Sequence, residues 1–381
     1  MTRVLIAGVS TRGFAESAAR AGYDVLAVDG FGDLDLRARA LSVIVARSGG
    51  RFSIRAAVAA ARGVPWDAVC YVGSFENHAR AVGALAAGGT LWGNPPAVLS
   101  AVRDPVQLAR ALRARGLPAP AVRSTPPRAA GTASGARWLV KPRASGGGSG
   151  VARWRGGRLP RGSYLQQRVA GTPGSIVFAA DGRSAVPLGV SRALAGDPRF
   201  GGGGAGGFRY CGSMLVAREQ PLFGHACRLA AAVTEAFGLV GVNGIDFVAR
   251  NGVPYTLEVN PRYCASMELV ERVHGISIFQ VHARACAGEL PDFDVTHRGG
   301  SGVVGKAVVY AREDVVPEGT PRWLAHDDVR DVPAPGERIG RGHPICTVFA
   351  RGRTLAACHA ALAARARTLY RSVEAHRVRI A

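Results

Sequence analysis

The most informative part of this chain is Lys141-Pro142-Arg143-Ala144-Ser145-Gly146-Gly147-Gly148-Ser149-Gly150. It contains one of only two lysines, the other being Lys306, in a chain that has forty-six arginines. Glycines let backbone N–H groups approach an anion closely, and an ammonium group adds a compact positive charge. The stretch therefore predicts a phosphate-binding loop, with a flexible linker as the alternative.

The chain around this loop is long and strongly basic. Its 381 residues are enough for two or three domains, and a hydrophobic content of 48% predicts ordered cores. A net charge of +21 and a pI near 11 would permit nucleic-acid or membrane binding. The arginines are scattered and no aromatic-interleaved basic strip occurs, so we expect neither partner. The sequence leaves a homodimer open.

The cysteines and the N-terminus indicate the compartment. Seven cysteines, without a Cys-x-x-Cys pair, predict reduced thiols and no zinc site. Residues 2–10 have the pattern of a strand rather than of a signal peptide, and no apolar run approaches the length of a membrane span. We therefore expect a cytoplasmic protein.

The first part of the chain has the pattern of a Rossmann-like unit. Residues 4–7 predict a buried strand, an alanine-rich helix follows, and residues 24–28 predict a second strand that ends at Asp29. The glycine spacing Gly8-x-x-x-x-Gly13 lacks the dinucleotide-binding fingerprint. We therefore expect this unit to be a scaffold, with Asp29 as a ribose ligand the weaker alternative.

Two loops allow more than one interpretation. Glu76 follows a strand predicted at 68–72, and it is either part of a substrate loop or an ordinary acid at a helix N-terminus. The stretch Gly196–Gly212 contains eight glycines, so no compact element is expected there. That stretch is predicted to be either a passive linker or a lid that orders on substrate through Arg209 and Tyr210.

A hairpin predicted at residues 241–259 carries paired acids. Two strand patterns are joined by a turn, so Asp246 and Glu258 should face one another, with Asn260 two positions beyond. Two carboxylates and an amide oxygen form the hard oxygen site that magnesium prefers when phosphate and water complete its shell. Solvated surface acids are the alternative, but apolar neighbours such as Phe247 and Leu257 would make unpaired carboxylates costly.

At these residues the chain resembles the ATP-grasp superfamily of carboxylate ligases. Residues 141–150 resemble its phosphate-covering loop, residues 166–171 its adenine hinge, and residues 244–247 with 257–262 its magnesium site. Four matches in order over about residues 104–290 are more specific than a lone glycine motif. The chain is most similar to archaeal and methylotroph members described as carboligases related to biotin carboxylase.

The resemblance implies ATP and Mg²⁺ (or Mn²⁺) as cofactors. The residues that it implies for nucleotide binding are Lys141, Ser145, Gly146, Gly147, Gly148, Ser149, Gly150, Gln166, Gln167, Arg168 and Val169. The implied metal ligands are Asp246, Glu258 and Asn260. Lys141 and Arg262 are the implied catalytic residues, and Arg262 would stabilise an acyl phosphate or a tetrahedral intermediate. A structural ion pair is the alternative role of Arg262.

The implied fold class is α/β, with α+β character in the ATP-grasp part. A Rossmann-like pre-ATP-grasp domain is expected at 1–102, and a two-lobed ATP-grasp domain at 103–290 with its nucleotide lid at about 103–170. A small β subdomain of the biotin-carboxylase type is expected at 291–381.

Two positions depart from the family pattern. The second lysine expected in the helix before the glycine loop is absent, and Arg103 is the candidate to replace it. The hinge glutamate is replaced by Gln166, and residues 170–175 contain no acidic ribose contact. Nucleotide binding is therefore expected to be weaker than is typical of the family.

Three functions are compatible with these motifs. The favoured one is an ATP-dependent ligase that joins a small carboxylate to an amine, with a glutamate-containing intermediate of a C1-carrier cofactor as the suggested substrate. The second is a bicarbonate-activating carboligase like biotin carboxylase, whose biotin acceptor would be a separate protein. The third is a nucleotide-binding or nucleic-acid-binding protein without catalysis.

Overall fold

The computed structural model describes residues 1–127, 137–203, 206–216, 220–294 and 302–377. Parallel and antiparallel sheets are combined with helices, which confirms the predicted α/β class. Within these ranges no helix is both long and apolar enough to cross a membrane.

The N-terminal part is a parallel sheet covered by helices, as the Rossmann-like pattern predicts. Its strands are β1 (Arg3–Ala7), β2 (Asp24–Asp29), β3 (Ser42–Val45), β6 (Ala68–Tyr71) and β7 (Thr90–Leu91), and a separate ribbon contains β4 (Arg47–Ser48) and β5 (Arg51–Phe52). Its helices are α1 (Arg12–Arg20), α2 (Leu34–Arg37), α3 (Ile54–Ala61), α4 (Ala79–Ala86) and α5 (Pro96–Val102). The order is β3-β2-β1-β6-β7. Continuous apolar runs suit these strands because helices cover both faces of a parallel sheet.

The carboxylate of Asp29, at the end of β2, is used for hydrogen bonds within the fold. It accepts hydrogen bonds from the backbone and hydroxyl of Thr11 (2.7 and 2.8 Å) and from the backbone N–H groups of Phe31 and Gly32 (2.6 and 2.7 Å). These bonds hold the turns around the strand end. This arrangement agrees with the scaffold interpretation of the N-terminal unit.

A small antiparallel sheet follows helix α6 (Pro105–Ala114). Its strands are β8 (Val122–Arg123), β9 (Trp138–Pro142), β10 (Ala152–Arg153) and β11 (Ser163–Gln167), in the order β10-β9-β11-β8. We call residues 121–127 and 137–168 the lid region. The strand β9 ends with Lys141 and Pro142, so it leads directly into the glycine loop, as the sequence predicts.

The largest sheet is antiparallel and extends to the C-terminal part of the chain. Its strands are β12 (Thr172–Asp181), β13 (Ala185–Ala195), β14 (Tyr210–Leu215), β15 (Val240–Arg250), β16 (Val253–Asn260), β17 (Val303–Tyr310), β18 (Val329–Arg330) and β19 (Pro344–Gly352). Their order is β16-β15-β12-β13-β14-β17-β19-β18. The accompanying helices are α7 (Gln220–Phe237), α8 (Met267–His274), α9 (Ile278–Cys286) and α10 (Leu355–Arg377). The strands after residue 302 therefore continue the sheet that contains the acidic hairpin.

The glycine-rich stretch contains regular structure, so the expectation that no compact element forms there was wrong. A 3₁₀ helix spans Pro198–Phe200, and β14 begins at Tyr210 inside the stretch. Strand β14 pairs with β13 on one side and β17 on the other. Backbone pairing on both sides supplies the order that the side chains of this stretch do not predict.

Aromatic packing fixes the N-terminal part against the large sheet. The ring of Phe14 stacks on Tyr263 at a centroid distance of 4.7 Å and contacts Phe279 at 4.8 Å. Such pairs stabilise by about 1 kcal/mol beyond their buried area. Because Tyr263 follows strand β16, this contact also positions the chain just beyond the acidic hairpin.

A buried charge cluster joins four separate segments of the chain. Arg12, on α1, contacts Glu268 and Asp331, and Lys306 Nζ donates to Glu268 Oε2 at 2.6 Å. Burial would raise the pKa of Glu268, but Arg12 and Lys306 outweigh it and hold the pKa well below its usual range. The second lysine of the chain is therefore a paired core residue, and removing one partner would leave a buried charge uncompensated.

We expect His282 to make the fold less stable in mild acid. Its Nδ1 accepts from the Val242 N–H (3.0 Å) and its Nε2 donates to the Trp92 carbonyl (3.1 Å), so the folded protein holds a neutral ring. Burial lowers the pKa of His282 to about 4. The unfolded chain binds this proton near pH 6.5, so the stabilisation is complete above about pH 6.5 and is lost towards pH 4, by roughly 3 kcal/mol at most.

Urea unfolding at pH 7 and pH 4.5 measures this effect. The change in unfolding free energy between the two pH values should be smaller in His282→Gln than in the unmodified chain. An equal change in both proteins would show that this histidine does not control the pH dependence.

Candidate functional site

Two carboxylates meet on the hairpin formed by strands β15 and β16. Their register places Asp246 opposite Glu258 and Gly244 opposite Asn260, with an irregularity after Asp246. Residues directly opposite one another in an antiparallel pair share a face of the sheet. The two acidic side chains therefore lie side by side on one face, as the sequence predicts.

Asn260 and Arg262 extend this acidic pair into a hydrogen-bonded row. Asn260 Nδ2 donates to Asp246 Oδ2 at 2.9 Å, and Arg262 Nη2 donates to Asn260 Oδ1 at 3.2 Å. No cluster of three or more His, Cys, Asp or Glu side chains suited to a metal occurs in the part of the chain that the structure describes. The candidate metal ligands are thus two carboxylates and one amide oxygen.

The surroundings shift the pKa values of the two carboxyl groups in opposite directions. Burial, together with the charge of Glu258, raises the pKa of Asp246 to about 6, against the hydrogen bond from Asn260. Burial also acts to raise the pKa of Glu258, but Lys141 and Arg103 outweigh it and hold that pKa below its usual range. Asp246 is therefore the carboxylate that a bound cation would stabilise most.

Lys141 reaches this row from the lid region. Its Nζ donates to Gln166 Oε1 at 3.2 Å, and Gln166 Nε2 donates to the Leu257 carbonyl at 2.9 Å. Gln166 is buried between the two elements. The side chain predicted for the adenine hinge thus links the lysine to strand β16.

The next hinge residues lie at the surface. Gln167 accepts at Oε1 from the Ala121 N–H (3.2 Å), and the Arg168 N–H donates to the Arg137 carbonyl (2.6 Å). Both side chains are exposed, whereas Val169 is half-buried. All three residues line the same cavity as Lys141.

The glycine loop contacts the segment that precedes strand β14. Gly147, Gly148 and Gly150 have φ values of 61°, 76° and 71°, a region in which glycine avoids the strain of other residues. The Tyr210 N–H donates to the Gly147 carbonyl at 2.9 Å. A side chain at Gly148 would collide with the carbonyl of Phe208. The two glycine-rich segments of the chain are therefore in direct contact.

We expect Gly148→Ala to displace the glycine loop. The alanine would have to adopt the left-handed backbone conformation of Gly148, and its Cβ would collide with the carbonyl of Phe208. The strain predicts an ATP affinity reduced about tenfold. Gly146→Ala is the matched control, since a Cβ there has open space and an unstrained backbone. Calorimetric titration with ATP compares the two variants. Equal affinities would show that this contact does not shape the loop.

Arg262 is paired with an acid from the N-terminal part. Its Nε and Nη2 donate to Glu76 Oε1 at 3.0 and 2.8 Å. Glu76 lies in a 3₁₀ helix, Phe75–Asn77, that follows Ser74 with a φ of 87°. The strand end and its strained residue thus bring Glu76 to the acidic hairpin. The ion pair foreseen as the alternative for Arg262 is present, and Arg262 also lines the cavity.

Arg103 lies beside the candidate metal ligands. Its Nη1 donates to the Val259 carbonyl (3.0 Å) and to Glu258 Oε2 (3.4 Å), and its Nη2 donates to Asn77 Oδ1 (2.9 Å). The candidate replacement for the missing lysine therefore contacts the acidic hairpin and the N-terminal part together.

One cavity of about 570 Å³ collects most of these groups. The predicted nucleotide residues in its wall are Lys141, Ser145, Gly146, Gly147, Gly148, Gln166, Gln167, Arg168 and Val169. The predicted metal ligands Asp246, Glu258 and Asn260 line it as well. Ser149 and Gly150 belong to the loop but do not line the cavity. The structure thus brings the motifs from four separate segments to one place.

Tyr210, which the sequence analysis named, and several serines, which it did not, form another part of the wall. Tyr210 Oη lies 2.9 Å from Ser213 Oγ, and Ser175 Oγ lies 2.8 Å from Ser191 Oγ and 3.2 Å from Ser266 Oγ. Tyr210, Ser213, Ser175 and Ser266 all line the cavity. Serines on strands have no distinctive spacing, so only the assembled sheet identifies this wall.

Comparison with known proteins finds a domain match in the middle of the chain. Residues 102–266 match the family model described as an ATP-grasp domain. Over 119 residues the chain is 29% identical to a protein of uncharacterised function from Methanocaldococcus jannaschii, a match that covers 31% of this chain and 28% of that protein. The match thus spans less than a third of that relative's length.

Solved structures share the fold over nearly the whole chain. The biotin carboxylase domain of 2-oxoglutarate carboxylase from Hydrogenobacter thermophilus, bound to MgADP, ADP and bicarbonate, superposes with a TM-score of 0.69 at 15% identity, covering 91% of this chain and 85% of that one. The L-amino acid ligase from Bacillus licheniformis has a TM-score of 0.67 at 16% identity, covering 95% and 96%. At such identities the likeness establishes the fold.

The acidic hairpin, the glycine loop and the shared fold define an α/β protein with the ATP-grasp fold. Within it, the match assigns residues 102–266 to an ATP-grasp domain.

Proposed function

We propose that the chain is an ATP-dependent ligase that activates a carboxylate as an acyl phosphate and joins it to an amine. The observation that carries this proposal is the single cavity whose wall holds the glycine loop, Lys141, the Asp246–Glu258 pair and Arg262. Phosphoryl transfer to a carboxylate needs such groups: a phosphate cradle, oxygen ligands for a hard cation, and a cation for developing negative charge.

Asp246, Glu258 and Asn260 fit a magnesium or manganese ion. Their donor atoms are all oxygens, and the raised pKa of Asp246 supports the need for a neighbouring cation. When bound, the ion would neutralise phosphate charge at this face of the hairpin. Two protein carboxylates suit magnesium, because phosphate oxygens and water supply the remaining ligands.

We assign phosphate binding to Lys141 and the glycine loop. The contact between Lys141 Nζ and Gln166 holds the ammonium group beside the acidic pair. The loop carries several backbone N–H groups that glycine leaves accessible to an anion. We assign to Arg103 a contact with the phosphate nearest to Glu258, since its guanidinium lies between that acid and Asn77.

The proposed reaction has two steps. An oxygen of the substrate carboxylate attacks the γ-phosphorus, the bond between that phosphorus and the bridging oxygen breaks, and ADP leaves. The amine nitrogen then attacks the acyl carbon and loses a proton, and inorganic phosphate leaves as the amide forms. Arg262 donates to the negatively charged oxygen in these steps, and Glu76 orients its guanidinium. The reaction requires no protein nucleophile.

The biological setting is a further part of the proposal. A role in the synthesis of a C1-carrier cofactor rests on the sequence resemblance. The seven free thiols support a cytoplasmic location. A homodimer is supported by the Hydrogenobacter domain, which is described as a dimer.

Activation of bicarbonate is the second candidate function. It is favoured by the likeness to the biotin carboxylase domain, which covers 91% of this chain and was solved with bicarbonate. In that reaction the same cavity would form carboxyphosphate, and a biotin group on another protein would accept the carboxyl group. The two candidates share the phosphoryl-transfer step and differ in the acceptor.

An ATP-turnover screen with mass spectrometry of the products tests the proposal. Pools of amino acids, glutamylated cofactors and amines are supplied with ATP and magnesium, and bicarbonate with free biotin forms a separate pool. We expect one pool to release ADP and phosphate in step with a new amide. Turnover only with bicarbonate would favour the second candidate, and no turnover with any pool would count against both.

A further inference from the structure

The segment that contains the lid region carries positive charge without any acidic side chain. Residues 105–180 include twelve arginines and one lysine, and no aspartate or glutamate. The other 305 residues contain 35 Lys and Arg against 27 Asp and Glu. A general preference for arginine accounts for the arginines but not for the missing acids. The charge of the protein is therefore concentrated in one part of the fold.

The arginines of the lid region are at the surface. Seven of them are exposed: Arg123, Arg137, Arg153, Arg155, Arg158, Arg161 and Arg168. Within the described part of the chain, none of these seven has a carboxylate at salt-bridge distance; Arg143, which is half-buried, pairs with Asp104 at 3.5 Å. The exposed charges are thus not neutralised by carboxylates in the described ranges.

The small sheet and its connections carry these charges. Arg153 lies on the edge strand β10 opposite Leu139. Arg155 and Arg161 lie in the connection from β10 to β11, and the Arg168 N–H donates to the Arg137 carbonyl. Like charges carried by one small sheet repel one another and destabilise the compact state. A folded domain gains nothing from this arrangement on its own, which favours a partner that supplies the opposite charge.

The cationic surface reaches the mouth of the cavity. Arg168 is exposed and also lines the cavity, next to Gln167. A molecule bound to the lid region would therefore lie beside the opening through which substrates enter.

We infer that the lid region is the docking surface for an acidic protein. The guanidinium group of arginine pairs with a carboxylate through two parallel hydrogen bonds. A carboxylate-rich surface therefore matches the exposed arginines of the lid region. Nucleic acid fits less well, because Trp138, Trp154 and Tyr164 are not exposed for base stacking. The described part of the region is a short-stranded sheet without a helix to enter a major groove. The docked protein would place one of its own chemical groups at the cavity mouth.

Binding can be measured without turnover, so the ligase chemistry does not affect the result. A fluorescent polyglutamate peptide of about twenty residues is titrated with the full chain, without ATP, at about 150 mM salt, near physiological ionic strength. The lid variant combines Arg155→Gln, Arg158→Gln and Arg161→Gln. The matched control combines Arg39→Gln, Arg55→Gln and Arg62→Gln, which removes the same charge from exposed positions of the N-terminal part. Duplex DNA of about twenty base pairs is titrated in parallel.

We expect the lid variant to lose about tenfold in affinity for polyglutamate and the control to change less than twofold, because only the lid arginines would contact the peptide. Both variants should keep the ATP affinity and the thermal midpoint of the unmodified chain. Equal losses in the two variants would show that net charge alone drives binding. Tighter binding of DNA through the lid arginines, or no binding of polyglutamate at this salt, would overturn the inference.

Discussion

Replacing Glu258 by alanine is expected to abolish turnover and leave the fold intact. Glu258 lies opposite Asp246 on the hairpin, and the proposal makes both carboxylates metal ligands. Losing one ligand removes charge stabilisation that is realised in the transition state, so we expect kcat to fall at least about a thousandfold. Arg103 keeps its bonds to Val259 and Asn77, so no buried cation is left without partners.

A matched control separates this effect from a general loss of charge. Glu235, on helix α7, is 71% exposed and pairs with Arg115, so Glu235→Ala removes one carboxylate far from the hairpin. It should retain normal turnover. Asn260→Ala should behave like Glu258→Ala, and the thermal midpoint of each variant shows whether it is folded. Normal turnover in Glu258→Ala or Asn260→Ala would mean that the metal site is assigned wrongly.

Replacing Lys141 by alanine is expected to weaken ATP binding roughly thirtyfold, the loss of about 2 kcal/mol for a hydrogen bond to a charged group. Lys141→Arg should restore only part of this affinity. A planar guanidinium cannot take the place of a compact ammonium group between Gln166 and the acidic pair. Titration calorimetry with ATP in excess magnesium measures both variants.

Arg143→Ala is the control for Lys141, because it removes one positive charge two residues further along. It breaks the ion pair with Asp104, a hydrogen bond to Ser124 and a contact with the Tyr164 ring, but no contact with the acidic hairpin. Its ATP affinity should stay within about threefold of the unmodified chain, as expected for a surface ion pair. If Lys141→Ala and Lys141→Arg both bound ATP normally, Lys141 would not be a phosphate ligand.

Local sequence patterns predicted the acidic hairpin and the lysine strand well. Alternating residues and a short turn determine both strands of a hairpin, so the register that pairs Asp246 with Glu258 follows from contacts close in sequence. Three of the five N-terminal parallel strands, β1, β2 and β6, were also predicted from their apolar runs, whereas β3 and β7 were not. Strand β14 was missed, because glycines carry no side-chain pattern and its pairing with β13 and β17 is set by distant parts of the chain.

Contacts between distant segments could not be predicted. Arg262 meets Glu76 across 186 positions, and Arg103 meets Glu258 across 155, because the N-terminal part packs against the hairpin. The hydroxyl wall around Tyr210 likewise needs several strands in place. The domain divisions after residues 102 and 290 stay predictions.

The transfer of oxygen from substrate to phosphate tests the central claim most directly. The carboxylate identified by the screen is labelled with ¹⁸O in both carboxyl oxygens, and the released phosphate is analysed by mass spectrometry. An acyl phosphate passes one carboxyl oxygen to the phosphate when the amine displaces it. We therefore predict one ¹⁸O in each phosphate released per amide formed, with ADP as the other product. Amide formation with unlabelled phosphate, or with AMP and pyrophosphate, would contradict the proposed ligase chemistry.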